Sequence, residues 1–339
     1  MALPPDLRVS HYFEWEQWIT GGQAQSVNNQ RTILDNHEIA YTTAPRLDVD
    51  LIHLNNMGPR SVLLALRARR RGIPVVVHTH QTAADMRESF AFSNWLARPL
   101  KPYLAKAYSL ADHLICPSEH TAEVIGEYCD VPRTVVSNGY DPEKLAGYAS
   151  LRERYLERYE LDPPVVFTVG HVIERKGLSA FIETAEQLPN LDFAWFGYLN
   201  PTGGRLDRIL RSRRTSRLVD SAPPNCTFTG YIEDIRGAYA AGDIFLFPTK
   251  NENEGMALLE AMATGHPPVV RDIPTFDWLE DGTTCLKGAN EFAPPVQRLA
   301  ADPDLRADIG EAAAEAVDSY TLDAVAEELI AVYQTVLED

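Results

Sequence analysis

Lysine is scarce in this chain. Of 339 residues only six are Lys, and the 31 basic residues face 48 Asp and Glu, a formal net charge of −17. An acidic chain without a continuous basic stripe excludes a nucleic-acid binder of the usual electrostatic kind. Abundant carboxylates with little Lys form a halophilic composition, in which salt screens the charge over a few ångströms; this expectation concerns habitat rather than chemistry. Cysteine is scarce too: Cys116, Cys129, Cys226 and Cys285 show no Cys-x-x-Cys pairing. Neither a zinc site nor a disulfide framework is expected, and the four read as small buried residues. No stretch approaches the roughly 20 apolar residues of a membrane span. The start, MALPPDLRVS, lacks a basic and then apolar signal, which predicts a cytosolic protein. The G-x-G-x-x-G fingerprint of dinucleotide folds is also missing.

What is present is alternation. Short β-rich apolar runs exchange with helical patterns along the whole chain, the mark of parallel sheets with crossover helices. Strands are expected at 8–13, 37–43, 50–56, 74–80, 113–118 and 133–139, then at 164–170, 191–197, 226–232, 243–249 and 267–273. The length suits two domains, and the turn-rich passage SNGYDPEKLAGY separates the two sets of strands. The expected division is 1–143, 144–319 and a terminal helix within 320–339, which carries Leu322, Val325, Leu329, Val332 and Val336 at helical spacing. The charge divides unevenly: residues 1–143 hold 13 Lys/Arg against 16 Asp/Glu, and 144–339 hold 18 against 32. An N-terminal half spared from acidification suits an anionic partner.

In doubly wound domains ligands sit at the carboxyl ends of strands. In VGHVIERKGLSAFIETA, Arg175 and Lys176 stand between a strand end and a helix start. Two cations ahead of free helix amides suit a diphosphate; a solvated basic turn is the plainer alternative. In PTKNENEGMALLEAMATG, the run before the helix offers Glu252, and Gly255 and Met256 present backbone amides. Glu260 lies within the apolar helix. A buried carboxylate needs a partner, either the two hydroxyls of a ribose or a nearby Arg. In the N-terminal half, Gly21 and Gly22 of TGGQAQS allow close approach of backbone to a sugar or phosphate, or form a simple turn. His78 and His80 of HTHQT point the same way from a strand end, with no third ligand at zinc spacing. Finally, Arg67, Arg69, Arg70 and Arg71, and then Arg98, Lys101 and Lys106 with Trp95, Leu96, Leu100, Tyr103 and Leu104, form two basic segments with apolar anchors. They suit a membrane interface or an amphipathic helix packed on its own sheet.

The stretch from Gly170 to Gly177, ENEGMALLEAMATG and PPVVRDIP resemble the C-terminal domain of glycosyltransferase family 4, with its Glu-x7-Glu motif. VVVHTHQTAADMRESFAFSNWLARPLKPYLAKAYSLADHLICPSEHT and FLFPTKNENEGMALLEAMA are most similar to the branch that glycosylates diacylglycerol-type lipids. The resemblance covers nearly the whole chain. It implies an α/β GT-B fold, with two doubly wound Rossmann-like domains facing a central cleft. It also implies a retaining hexosyltransferase that takes its sugar from a nucleotide diphosphate sugar, a UDP-sugar such as UDP-glucose, without a metal. In that scheme Glu252 contacts donor-sugar hydroxyls, Glu260 the ribose, Arg175 and Lys176 the diphosphate, and His80 lies beside the reacting sugar. Arg69, Arg70, Trp95, Lys101 and Lys106 meet an anionic membrane that presents the lipid acceptor. Many members carry Arg directly after the strand-end glycine, where this chain has His171. The rival readings are transfer to a soluble or polyprenyl-linked sugar, a GT-B nucleotide-sugar epimerase, and a non-catalytic nucleotide-sugar binder.

Overall fold

A computed structural model describes residues 3–82, 93–199 and 213–338, without the side chains of 93–98 and 213–214. Met1–Met86, Asn94–Gly139 and Tyr320–Asp339 form one compact unit, and Tyr140–Ser319 make up the body of a second. The division falls inside SNGYDPEKLAGY.

The first unit holds a six-stranded sheet in the order β2-β1-β3-β4-β5-β6. Its strands are β1 (Arg8–Tyr12), β2 (Ala40–Thr42), β3 (Leu51–Leu54), β4 (Val75–His78), β5 (His113–Cys116) and β6 (Arg133–Val135). Every pairing is parallel. The inner strands β3 and β4 are buried at every position, as continuous apolar runs covered on both faces must be. One face packs Leu54, Val75 and Val77 on helices Pro59–Arg69 and Ser93–Tyr108. The other face packs Val9, Leu51 and Val76 on helix Gly22–Asn36 and on the terminal helix Leu322–Glu338. All five apolar positions read from the spacing of that last helix are buried.

The second unit holds β7 (Val165–Val169), β8 (Asp192–Phe196), β9 (Cys226–Gly230), β10 (Ile244–Phe247), β11 (Pro268–Arg271) and β12 (Leu286–Gly288). Their order is β12-β11-β10-β7-β8-β9, again all parallel. Helix Leu178–Gln187 turns Leu178, Phe181, Ile182 and Ala185 onto this sheet at the i, i+3, i+4, i+7 spacing of one helical face. Counted within the unit the order is 3-2-1-4-5-6, the doubly wound arrangement whose direction reverses between its first and fourth strands, here β7 and β10. In the first unit the reversal lies between β1 and β3.

The eleven expected strands are all present but shorter, because their carboxyl ends run out into the loops that carry the candidate residues. Asn55, Asn56, Thr79 and His80 stand beyond strands rather than in them. The twelfth strand, β12, escapes sequence reading because it is three residues long with Lys at its centre.

Candidate functional site

At the reversal point of the second unit two loops meet. After β7 the chain passes through Gly170 and His171 into a tight turn, Glu174–Lys176, and enters helix Leu178–Gln187 through Gly177. Gly177 has φ +85°, and a Cβ there would lie 2.3 Å from the Pro248 carbonyl oxygen, so only glycine lets the loops close on each other. Across that contact Lys250 N donates to Arg175 O at 2.8 Å, and the Arg175 guanidinium donates to Asn251 O at 2.8 Å. The Lys250 ammonium reaches Glu174 at 2.9 Å, and Ser179 Oγ donates to the other Glu174 oxygen at 2.8 Å.

Glu252 sits at the centre. Lys176 Nζ donates to its Oε1, Thr249 Oγ1 donates to the same oxygen at 3.0 Å, and Arg175 Nη1 stands 3.8 Å away. Burial pushes the Glu252 pKa up, but the charges of Lys176 and Arg175 and the hydrogen bonds from Lys176 and Thr249 together outweigh it and leave the net shift downward. Lys176 also lies over the Phe247 ring, 5.3 Å from its centroid. The two cations and the carboxylate assigned by motif to different parts of one ligand thus form a single ion cluster. An anion entering beside Lys176 competes with Glu252 for it. His171 is held near pKa 4 by burial, and by Lys176 and Arg175, so a neutral ring occupies the position after the strand-end glycine.

After β10, Gly255 caps helix Met256–Ala263 at φ +99°, and the first amides of that helix have no acceptor within it. Glu260 is half-buried in the same helix, beside the buried Leu258, Leu259, Ala261 and Met262. Its partner is a phenol rather than an Arg: the buried Tyr239 hydroxyl donates to Oε2 at 2.6 Å. Oε1 makes no hydrogen bond to the described residues. Burial raises the Glu260 pKa against the Tyr239 hydrogen bond and the charge of Lys144. Tyr239, Thr249, Lys250 and Glu174 were not legible as site residues. Lys250, directly before the NENEG run, and Glu174, directly before Arg175, carried a signal, namely their charge. Beyond β8 and β9, Tyr198 and Tyr231 stack at 4.5 Å, and Tyr231 is exposed.

In the first unit Gly21 has φ +80° and caps helix Gly22–Asn36, whereas Gly22 has open space about it. The backbone requires glycine only at the first of the pair. His78 and His80 do point the same way, with rings stacked at 4.2 Å. His80 Nε2 lies 3.0 Å from Asn55 Oδ1, and burial, aided by His11, lowers its pKa to about 3. Among the described residues no group of three or more His, Cys, Asp or Glu is placed to hold a metal ion.

The basic segments need correction. Leu104 belongs to the core and Leu100 packs against it, so neither is a free anchor. Lys101 is paired with Glu127 at 3.1 Å, and the Tyr103 hydroxyl donates to Met57 O at 2.6 Å. Arg67, Arg69, Arg70, Arg71 and Lys106 are exposed. The side chains of Trp95, Leu96 and Arg98 lie outside the described residues. Among the described residues of this unit the exposed large apolar side chains are Tyr103, one of the expected anchors, and Trp15, Trp18, Leu63 and Leu66. The two Trp were missed because they stand in a short turn, away from any basic run. No described helix is long and apolar enough to cross a membrane.

The model of Glycosyltransferase Family 4 matches residues 24–144, and that of Glycosyl transferases group 1 matches residues 163–302. The chain is 33% identical over 278 residues to the processive diacylglycerol alpha-glucosyltransferase of Acholeplasma laidlawii, covering 80% of each chain. It is 25% identical over 287 residues to the alpha-galactosylglucosyldiacylglycerol synthase of Streptococcus pneumoniae, covering 81% of this chain and 74% of the relative. Among solved structures, Anabaena HepE in complex with UDP and glucose shares the fold. It matches at a TM-score of 0.73 and 16% identity, over 97% of this chain and 99% of that one.

Proposed function

Since the chain belongs to glycosyltransferase family 4 and has its GT-B fold, we propose that it is a retaining hexosyltransferase acting on a diacylglycerol-type lipid, with a UDP-sugar as donor. The observation that carries the donor side is the ion cluster at the β7/β10 reversal, where Lys176, Arg175 and Glu252 converge. A diphosphate takes the two cations and the amides of Gly255 and Met256, while Glu252, released from Lys176, turns to the sugar hydroxyls. The Glu260 Oε1 accepts from the ribose hydroxyls. Catalysis is then positioning plus stabilisation of the departing diphosphate by groups already in place. His80 lines the reacting sugar, as the family resemblance implies.

The lipid acceptor is supported by two relatives whose names specify diacylglycerol-based products, and retention by the alpha linkages in those names. Peripheral binding to an anionic bilayer on the cytoplasmic side is supported by Trp15, Trp18, Leu63 and Leu66 standing exposed in the unit that carries Arg67 and Arg69–Arg71. The test is incubation of the purified protein with UDP-glucose and diacylglycerol in vesicles, with the product's anomeric configuration read by NMR. The expected product is an alpha-glucosyl lipid. Epimerised donor formed without acceptor, or transfer only to soluble sugars, overturns the lipid reading.

A further inference from the structure

Four histidines of the first unit stand in one buried file. His11 on β1 and His53 on β3 are register partners, with rings 4.8 Å apart and nearly perpendicular. His53 is parallel to His78 of β4 at 6.0 Å, and His78 to His80 at 4.2 Å. The Tyr333 hydroxyl of the terminal helix lies 2.7 Å from His53 Nδ1. The ion pair of Glu16 with Arg31 is the charged group that acts on His11 from outside the file. Burial holds His11 near pKa 4 and His80 near 3, and holds His53 and His78 well below the ordinary value. Each ring therefore carries one proton.

Two side-chain amides thread this file. Gln30 spans from His11 Nε2, at 2.8 Å, to His78 Nδ1, at 2.9 Å. Asn55, fully buried, spans from the same His11 Nε2, at 3.3 Å, to His80 Nε2, at 3.0 Å. An amide has one accepting end and one donating end, and a neutral imidazole has one nitrogen of each kind. As placed, Gln30 Oε1 and Asn55 Nδ2 both face His11 Nε2, which cannot donate and accept at once, so one of the two amides must be reversed and two arrangements are consistent. If His11 Nε2 carries its proton, both amides turn their oxygens to it, and their NH2 ends donate to a bare His78 Nδ1 and a bare His80 Nε2. If His11 Nε2 is bare, both amides reverse, and His78 Nδ1 and His80 Nε2 carry protons. Each arrangement strands one buried N–H, at His78 Nε2 in the first and His11 Nδ1 in the second. Both of those nitrogens lack a hydrogen-bond partner.

We propose that Asn55 is a positioning residue for His80: its amide, shared with His11, couples the two rings so that their Nε2 atoms stand in opposite states. The inference rests on the reading of His80 as lining the reacting sugar, because the tautomer decides whether that ring donates to or accepts from a hydroxyl. Gln30 links His11 Nε2 and His78 Nδ1 in the same way, but its NH2 also donates to Ser26 Oγ at 3.2 Å and Asn138 also hydrogen-bonds His78, so the opposition is looser there than at Asn55.

The test begins with the unaltered protein. Ring-15N NMR of histidine-labelled protein at neutral pH, with signals assigned through single His→Gln variants, is expected to show one protonated and one bare Nε2 between His11 and His80. Both protonated, or both bare, overturns the proposal. Asn55→Asp offers only acceptors, so both Nε2 atoms should become N–H and the added charge should hold a proton on His80. Its titration, and the acidic limb of the kcat/KM profile, should then rise by about one to two pH units. An unmoved limb with an unmoved His80 titration also overturns the proposal. If Asn55→Asp does not fold, the spectrum of the unaltered protein still decides. If His80→Ala leaves glycosyl transfer intact, the reading of His80 at the sugar fails by itself, and the NMR result judges Asn55 independently.

Discussion

The strand-end site of the first unit is built from neutral rings and amides, whereas that of the second is built from opposite charges, although burial is the leading influence on the titratable groups of both. In the first unit His11, His53, His78 and His80 meet no carboxylate within their file, so burial drives all four toward the neutral form. In the second, Glu252 is as deeply placed, yet Lys176 and Arg175 reverse the sign that burial would give. A neutral site can present directional donors and acceptors to hydroxyls at little electrostatic cost. A charged one can exchange an internal partner for an anionic ligand. The difference matches the division of labour proposed, with hydroxyl chemistry on one side and a diphosphate on the other.

The comparison breaks most sharply at the ion cluster. Replacing Arg175 and Lys176 together with Ala leaves Glu252 buried without a cation, and stability should fall by about 3 to 5 kcal/mol, the usual cost of breaking a buried pair from one side. Glu252→Gln in the same background should recover part of that loss in chemical denaturation. Affinity for UDP, followed by calorimetry, should drop about a hundredfold or more in the double variant, with uridine much less affected. Equal losses for the two ligands would remove the diphosphate assignment.

Glu260→Ala comes next. It should weaken uridine and UDP alike by about 1 to 3 kcal/mol, and should also lower the melting temperature, because the buried Tyr239 hydroxyl loses the carboxylate to which it donates. Since the Glu260 pKa is raised, the carboxyl takes up its proton at a higher pH than an ordinary Glu. Uridine affinity should therefore begin to fall while the medium is still above the usual carboxylate range. A flat pH profile for uridine, measured down to pH 5, argues against this contact.

A smaller effect separates the units in acid. Buried His11, His53 and His78 have folded pKa values below that of the unfolded chain, so their contribution to stability is complete above the unfolded value of about 6.5. It is lost as pH falls toward the folded values, at up to about 1.4 kcal/mol per pH unit for each ring. The second unit has His171 and His266 lowered in the same way, and so a shallower slope. Hydrogen exchange at pH 4.5 should show β1, β3 and β4 losing protection before β7 and β10; the reverse order contradicts the comparison.

Smallest, because salt screens it, is the membrane contact. The protein should float with anionic vesicles rather than neutral ones at moderate salt. Charge reversal at Arg69, Arg70 and Lys106 should release it, at about 1 kcal/mol per charge. Lys101 should matter less because Glu127 already holds it. Trp15→Ala with Trp18→Ala should reduce binding that persists in high salt. Indifference of both sets of variants leaves the acceptor to be sought in solution.

Some of this was open to reading along the chain. The runs PVVFTVG and DIFLFPT are β-branched or aromatic and bounded by turn residues, so they declared β7 and β10, and family motifs picked out Arg175, Lys176 and Glu252 beyond those strand ends and Glu260 in the helix that follows. Apolar spacing gave the terminal helix. That spacing did not say where the helix packs, because an apolar stripe specifies that a face is covered and not by what. Its place on the first sheet beside Val9, Leu51 and Val76 follows from the tertiary arrangement.

The sequence by itself determined the fold class, the family and the types of residue at the strand ends, since periodicity, turn chemistry and motif spacing are properties of neighbours along a chain. Tertiary structure alone decided partners. Lys176 with Glu252, Tyr239 with Glu260, and Asn55 between His11 and His80 join residues 76, 21, 44 and 25 positions apart. The protonation state of a buried group depends on the charges and hydrogen-bonding ends that folding brings within a few ångströms of it, and those distances are set by packing, not by order along the chain.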